Sequence, residues 1–283
     1  MSPKETVSIG LSAAIVAVEA DRPSVLVVAH QGSADALPFG PFDPVHHRTL
    51  ELGLRKWVGE QTKLDLGYAE QLYTFGDKGR HLSGAAGRVV SVGYLALTRM
   101  VSEAPDTQWR GWYHYFPWED WRDNKPAMID STILPALKKF VKDASNAEVA
   151  ELRRERVNMC FGEGWDEERV LERYELLYEA GLVEEFYRDS GTKPAKGEKL
   201  GTAMLFDHRR ILATAIARLR GKLKYRPVVF ELMAPTFTLL ELQRVVEALA
   251  GLRLHKQNFR RLVAEQGLVE GTGKFTASAR GRP

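Results

Sequence analysis

The sequence predicts an α+β chain in two parts: a strand-rich layered body with a helical insertion, then a small winged helix-turn-helix. Three observations carry this. Alternating β-branched segments interleave with an amphipathic helix over the first hundred residues. Helical periodicity dominates about 105–206. Charge then divides sharply. Residues 207–283 hold 15 basic and 6 acidic side chains, a net +9, and the remainder holds 25 basic and 31 acidic, a net −6.

In chain order, residues 8–19 are small and β-branched with partial alternation, and 25–29 form a short apolar run after Pro23, so both read as strands. Residues 50–58 read as an amphipathic helix and 88–100 as a half-buried strand. The insertion opens on Trp109, Trp112, Tyr113, Tyr115, Phe116, Trp118 and Trp121. With little Gly or Ser among them, these aromatics are expected to pack across the body, with a dimer interface as the alternative. Asn146 is placed to cap a helix through about Met159. Asp166 is placed to cap another carrying Val170, Leu171, Tyr174, Leu177 and Leu182. Residues 191–201, with Pro194 and three lysines, read as a loop or hinge.

The last part begins with an alanine-rich helix over 209–223, then a β-branched run over 228–233 that suits a short strand. Thr238 and Glu241 form a capping box, Leu242, Val245, Val246 and Leu249 follow at helical spacing, and Gly251 ends the helix. A short turn leads to a helix over 255–266. Phe259, Leu262 and Val263 face one way, and Lys256, Gln257, Arg260 and Arg261 the other. That polar face, with His255 and Asn258, carries the donors that read base edges and phosphates. After Gly267, residues 268–275 read as a hairpin with a glycine-rich turn, a wing offering Lys274, Thr276 and Arg280 to a backbone or minor groove. The candidate DNA contacts are therefore Thr238, His255, Lys256, Gln257, Asn258, Arg260, Arg261, Lys274, Thr276 and Arg280. The basic charge by itself also suits a membrane surface or plain solubility.

Composition narrows the classes further. No apolar run is long enough to span a bilayer, so no membrane role is expected, and no signal-peptide pattern opens the chain. The single cysteine, Cys160, rules out an intramolecular disulfide and an all-cysteine metal site, which fits a reducing cytoplasm. Cys160 itself reads as a core residue.

The run Tyr225-Arg226-Pro227-Val228-Val229-Phe230-Glu231-Leu232, continuing through Phe237-Thr238-Leu239-Leu240-Glu241-Leu242-Gln243 to Lys256-Gln257-Asn258-Phe259-Arg260-Arg261, resembles the terminal domain of Nudix-related transcriptional regulators. Gln71-Leu72-Tyr73-Thr74-Phe75-Gly76-Asp77 and Arg88-Val89-Val90-Ser91-Val92-Gly93-Tyr94-Leu95-Ala96-Leu97 resemble their Nudix-like sensor. The resemblance implies an α+β fold. A Nudix-like mixed-sheet α/β/α sandwich with helical insertion occupies 1–206, the insertion lying at about 105–206, and a winged helix-turn-helix DNA-binding domain occupies 207–283. The layout, with Tyr115-Phe116-Pro117-Trp118-Glu119-Asp120-Trp121-Arg122 in the insertion, is similar to the alphaproteobacterial NadQ subgroup, whose members repress NAD-biosynthesis genes. It further implies a homodimer on a palindromic operator. Relatives continue past the position of Gly281-Arg282-Pro283 into another strand, so an incomplete second wing strand is expected.

A working Nudix box, GX5EX7REUXEEXGU, presents glutamates that hold Mg²⁺. Here Leu37-Pro38-Phe39-Gly40 resembles its start, and with one residue inserted Arg55 matches the box arginine. Lys56 and Gly59 stand where glutamates belong, and Glu60 matches the last of them. One carboxylate beside a lysine holds a divalent cation poorly, so no catalytic residue, no metal and no required cofactor are expected. The adjacent His46 and His47 diverge and form no metal pair. The expected ligand is an effector nucleotide, NAD, ADP-ribose or ATP. Candidate contacts are Phe39, Arg55, Arg80, Arg88 and Arg122, with Tyr73, Phe75, Trp118 and Trp121 for stacking. The more ordinary role for each aromatic is core packing, and for each arginine a surface ion pair. Two rival functions stand beside the regulator: a hydrolase of ADP-ribose- or NAD-type pyrophosphates with an accessory nucleic-acid-binding domain, and a module that binds RNA or protein.

Overall fold

The computed structural model describes residues 7–19, 21–28, 34–77, 88–101, 104–193, 200–225 and 227–273. Among the described residues, six strands form one mixed sheet: β1 (Val7–Glu19), β2 (Arg22–Val28), β3 (Phe39–Pro41), β4 (Tyr68–Phe75), β5 (Arg88–Leu97) and β6 (Thr107–Gly111). The order is β4-β5-β1-β2-β6, with β3 paired to β1. β1 runs parallel to β5, from Val7 opposite Arg88 to Val16 opposite Leu97, and the other pairs are antiparallel.

Alternation along β1 explains why helices cover both faces. Leu11, Ala13 and Ile15 join Val92, Tyr94 and Ala96 under Leu54 and Val58 of α1 (Leu50–Thr62). Ala14 and Val16 join Leu95 and Leu97 on the opposite face, in one core with Ile211, Leu212 and Ala215 of α6 (His208–Tyr225). Thr49 caps α1 by accepting from Leu52 N at 3.1 Å. α6, grouped in sequence with the basic C-terminal part, thus closes the α/β/α sandwich.

The insertion carries α2 (Leu134–Lys142), α3 (Ala147–Phe161), α4 (Val170–Glu179) and α5 (Glu184–Ser190). Asn146 caps α3 as expected, accepting from Val149 N at 2.8 Å. Asp166 does not cap α4, which begins at Val170. Its carboxylate accepts from Glu168 N and so closes the preceding turn. Trp112, Tyr115, Phe116 and Trp118 are fully buried within the chain, which places this part of the aromatic cluster in the core rather than on a dimer face. Cys160 is buried, and burial pushes its thiol up to about 11, out of the reactive range.

The C-terminal part holds α7 (Leu239–Ala250) and α8 (Lys256–Gln266). The strand expected over 228–233 is instead a 3-10 helix, Val228–Leu232. Its buried residues Val228, Val229 and Leu232 fall on one side at helical spacing, and among the described residues no strand lies beside it to supply a ladder. Leu242, Leu249, Phe259 and Val263 belong to the same core as Leu95 and Ile211, so the two parts share one interior. No helix among the described residues is long and apolar enough to cross a membrane.

Candidate nucleic-acid interface and sensor domain

The interface is built from two helices and the turn between them. α7 begins with the full capping box: Thr238 Oγ1 accepts from Glu241 N at 3.1 Å, and Glu241 Oε2 accepts from Thr238 N at 2.6 Å. Thr238 therefore acts as a cap, its hydroxyl committed to Glu241. α7 ends at Gly251, whose φ of 73° favours glycine. The turn is pinned by a network that the sequence reading did not single out. Glu247 Oε1 accepts from Gln243 Nε2 at 2.8 Å and from Leu254 N at 3.0 Å, and Glu247 Oε2 pairs with Arg253 at 3.0 Å. Burial raises the Glu247 carboxyl, but the bonds from Gln243, the Leu254 N–H and Arg253 outweigh it and hold the group below its ordinary value. The Gln243–Glu247 spacing of one helical turn was the available signal.

Phe259 and Val263 anchor α8 in the core, while His255, Lys256, Gln257, Asn258, Arg260 and Arg261 are exposed. Arg261 reaches Glu265 at 3.8 Å, an exposed pair of little strength. The polar face of α8 thus presents several donors side by side on a helix held from behind. Lys274, Thr276 and Arg280, with most of the expected hairpin turn's far side, lie outside the described residues. Over 268–273 the chain forms no strand.

Among the described residues, the nucleotide candidates do not gather into one place. Tyr73, 62% exposed, packs edge-on against Phe75 at 5.4 Å, but Phe75 itself is 1% exposed beneath the Arg210 guanidinium. Arg88 donates to Gly76 O at 3.0 Å, bridging the ends of β4 and β5. Phe39 sits on β3 against Phe206 and His208, with ring centroids at 5.2 and 5.1 Å. Trp118 is 0% exposed and is a core residue. Neither Phe75 nor Trp118 has a face to offer a base, which corrects the expectation of stacking there. Trp121 is half-buried and lies on Trp165 at 4.2 Å. Arg122 is held by Asp120 and by Asp21 O at 2.6 Å, near α7. Arg80 lies outside the described residues.

On α1, Arg55 pairs with Glu51 at 2.9 Å and donates to Leu66 O and Gly67 O, so it anchors the loop after its own helix. Lys56 and Glu60 are exposed. His47 Nδ1 accepts from Asp43 N, and His46 pairs with Asp43, whose carboxyl is lowered to about 2 mainly by that hydrogen bond. Among the described residues, no three His, Cys, Asp or Glu side chains come together to hold a metal ion.

Comparison with known proteins agrees with this arrangement. Residues 229–283 match the family described as the NrtR DNA-binding winged helix domain. A 69-residue stretch, 24% of this chain, is 45% identical to the ADPR responsive transcriptional repressor NtrR of Acinetobacter baylyi, and it spans only 28% of that relative's length. Among solved structures, Shewanella oneidensis NrtR complexed with a 27mer DNA aligns over 97% of this chain and 90% of that one, at a TM-score of 0.55 and 22% identity. A MutT/nudix family protein from Enterococcus faecalis aligns over 94% and 83% at 0.53 and 17% identity. These two alignments bear on the fold. The chain accordingly carries an NrtR-type DNA-binding winged helix domain at its C-terminal end, on a body of Nudix-like α+β fold.

Proposed function

We propose that this protein is a ligand-responsive transcriptional repressor. α8 reads operator DNA, and the Nudix-like body senses an adenine nucleotide without hydrolysing it. The observation that carries the reading is the α8 face: Lys256, Gln257, Asn258, Arg260 and Arg261 stand exposed together within a matched winged helix, on a helix anchored by Phe259 and Val263. ADP-ribose is the preferred effector over NAD and ATP, because the Acinetobacter relative is described as ADPR responsive. The missing carboxylates, Lys56 and Gly59 in place of glutamates, support sensing over hydrolysis. Genes of NAD biosynthesis are the proposed targets. A homodimer on an inverted repeat is the proposed assembly.

For the ligand to act, it must bind one arrangement of the reading helices more tightly than another. The test is a mobility shift on the upstream regions of NAD-biosynthesis genes, with and without ADP-ribose, NAD or ATP. A specific shift that ADP-ribose changes supports the reading. Equal binding to random duplex, or to random RNA, sinks it. Mg²⁺-dependent release of AMP from ADP-ribose would favour the rival, a hydrolase with an accessory nucleic-acid-binding domain.

A further inference from the structure

The aromatic turn that follows β6 ends against α7, and buried polar groups make the contact. The Glu119 carboxylate is fully buried and accepts from Arg173 Nε at 2.6 Å, Arg173 Nη2 at 2.8 Å and Arg220 Nη1 at 2.7 Å. Arg220, also buried, donates its Nε to Leu249 O at 2.9 Å. The Tyr113 hydroxyl donates to Ala248 O at 2.7 Å, and the backbone N–H of Trp121 donates to Gly251 O at 2.8 Å. Three donors of the body therefore end on carbonyls 248, 249 and 251, where a helix has acceptors without intrahelical partners and its negative end. One carboxylate against two guanidiniums leaves a surplus positive charge, and the α7 carbonyls lie where it falls. The approach is close. A Cβ on Gly251 would sit 2.4 Å from Glu119 O and 2.8 Å from the Arg220 guanidinium.

Each group comes from a different part of the body. Arg220 belongs to α6, which packs on the sheet. Arg173 belongs to α4, and Tyr113 and Glu119 follow β6. An apolar contact slides at little cost, whereas a buried charge with fixed hydrogen bonds does not. Moving it leaves an unpaired ion in the interior. The exposed pairs at the rim, Arg244 with Asp21 at 3.9 Å and Arg253 with Asp123 at 3.6 Å, hold the contact only weakly. α8 starts five residues beyond Gly251, so what fixes the end of α7 aims the reading face.

We propose that Glu119, Arg220 and Tyr113 form the joint through which the sheet domain sets the orientation of the reading helix, making them positioning residues for operator binding. This rests on the DNA-binding, nucleotide-responsive reading above. Tyr113→Phe removes one hydroxyl, and Arg220→Lys keeps the charge but loses the fork. In the full-length chain, the test measures operator Kd with and without ADP-ribose, ADP-ribose Kd by calorimetry, and near-UV circular dichroism. The wild-type ratio of operator Kd values is expected within the ~5–150-fold range of allosteric couplings. In the variants it collapses toward one, with the spectrum and ADP-ribose Kd of the wild type. A wild-type ratio in folded Tyr113→Phe overturns the joint, as does a loss of ratio that follows a loss of ADP-ribose affinity. If Arg220→Lys does not fold, Tyr113→Phe alone decides. A wild-type protein that ignores the operator or the nucleotide retires the regulator reading and the joint together. A responsive wild type with equally responsive variants retires the joint alone.

Discussion

At Glu119 and Glu247 the same side-chain chemistry serves two different ends. Glu119 sits in the interior between Arg173 and Arg220, and removing its carboxylate strands two buried guanidiniums. Glu119→Gln is expected to lower the unfolding free energy by about 3–5 kcal/mol, read from urea denaturation. Glu247 holds the turn between α7 and α8, and its carboxyl is lowered in the fold. Its contribution is therefore full above the ordinary value of 4.5 and is lost as pH falls below it. Urea midpoints of wild type and Glu247→Gln should thus differ at neutral pH and converge in acid, whereas a gap constant with pH would rule out this role. Glu119 does not stand out in the sequence, because a glutamate buried between arginines reads like any surface glutamate until distant segments meet, whereas Glu247 has a local signal in Gln243 one helical turn before it. The same blindness put Phe75 and Trp118 among the stacking candidates. An aromatic beside charged neighbours looks alike in a pocket and in a core, and only burial separates them.

Local signals were the most readable at the scale of elements. The capping box at Thr238 and Glu241, the Asn146 cap, the glycine at 251 and the amphipathic α1 and α8 all depend on near neighbours, and all appear as expected. Thr238→Ala should cost about 1 kcal/mol of stability and leave the start of α7 frayed, as measured by urea unfolding and amide exchange. Elements that depend on partners were harder to read. The 228–233 run has strand composition but no neighbouring strand among the described residues, and it winds into a 3-10 helix. α6 carries the basic charge of the C-terminal part, yet its apolar side is the second cover of the sheet. Charge marked its surface and said nothing of the face it buries.

Across the whole molecule, the sheet body, which α6 completes, and the C-terminal helices are separate in sequence and continuous in packing, since α7 and α8 share their core with the sheet. On the proposed reading, that continuity is the route by which a nucleotide held in the body would bear on the α8 face. Replacing Arg260 with alanine should weaken operator binding by about 1–3 kcal/mol if it reads a base. Lys256→Ala should flatten the salt dependence by about one unit of slope if it meets a phosphate. Fluorescence anisotropy of a labelled inverted-repeat duplex from an NAD-biosynthesis promoter, titrated at fixed salt with and without ADP-ribose, tests the central claim most directly. The account predicts specific binding over random duplex and a change in Kd on adding ADP-ribose. Equal affinity for both duplexes, or a Kd that a saturating nucleotide leaves unmoved, would contradict it.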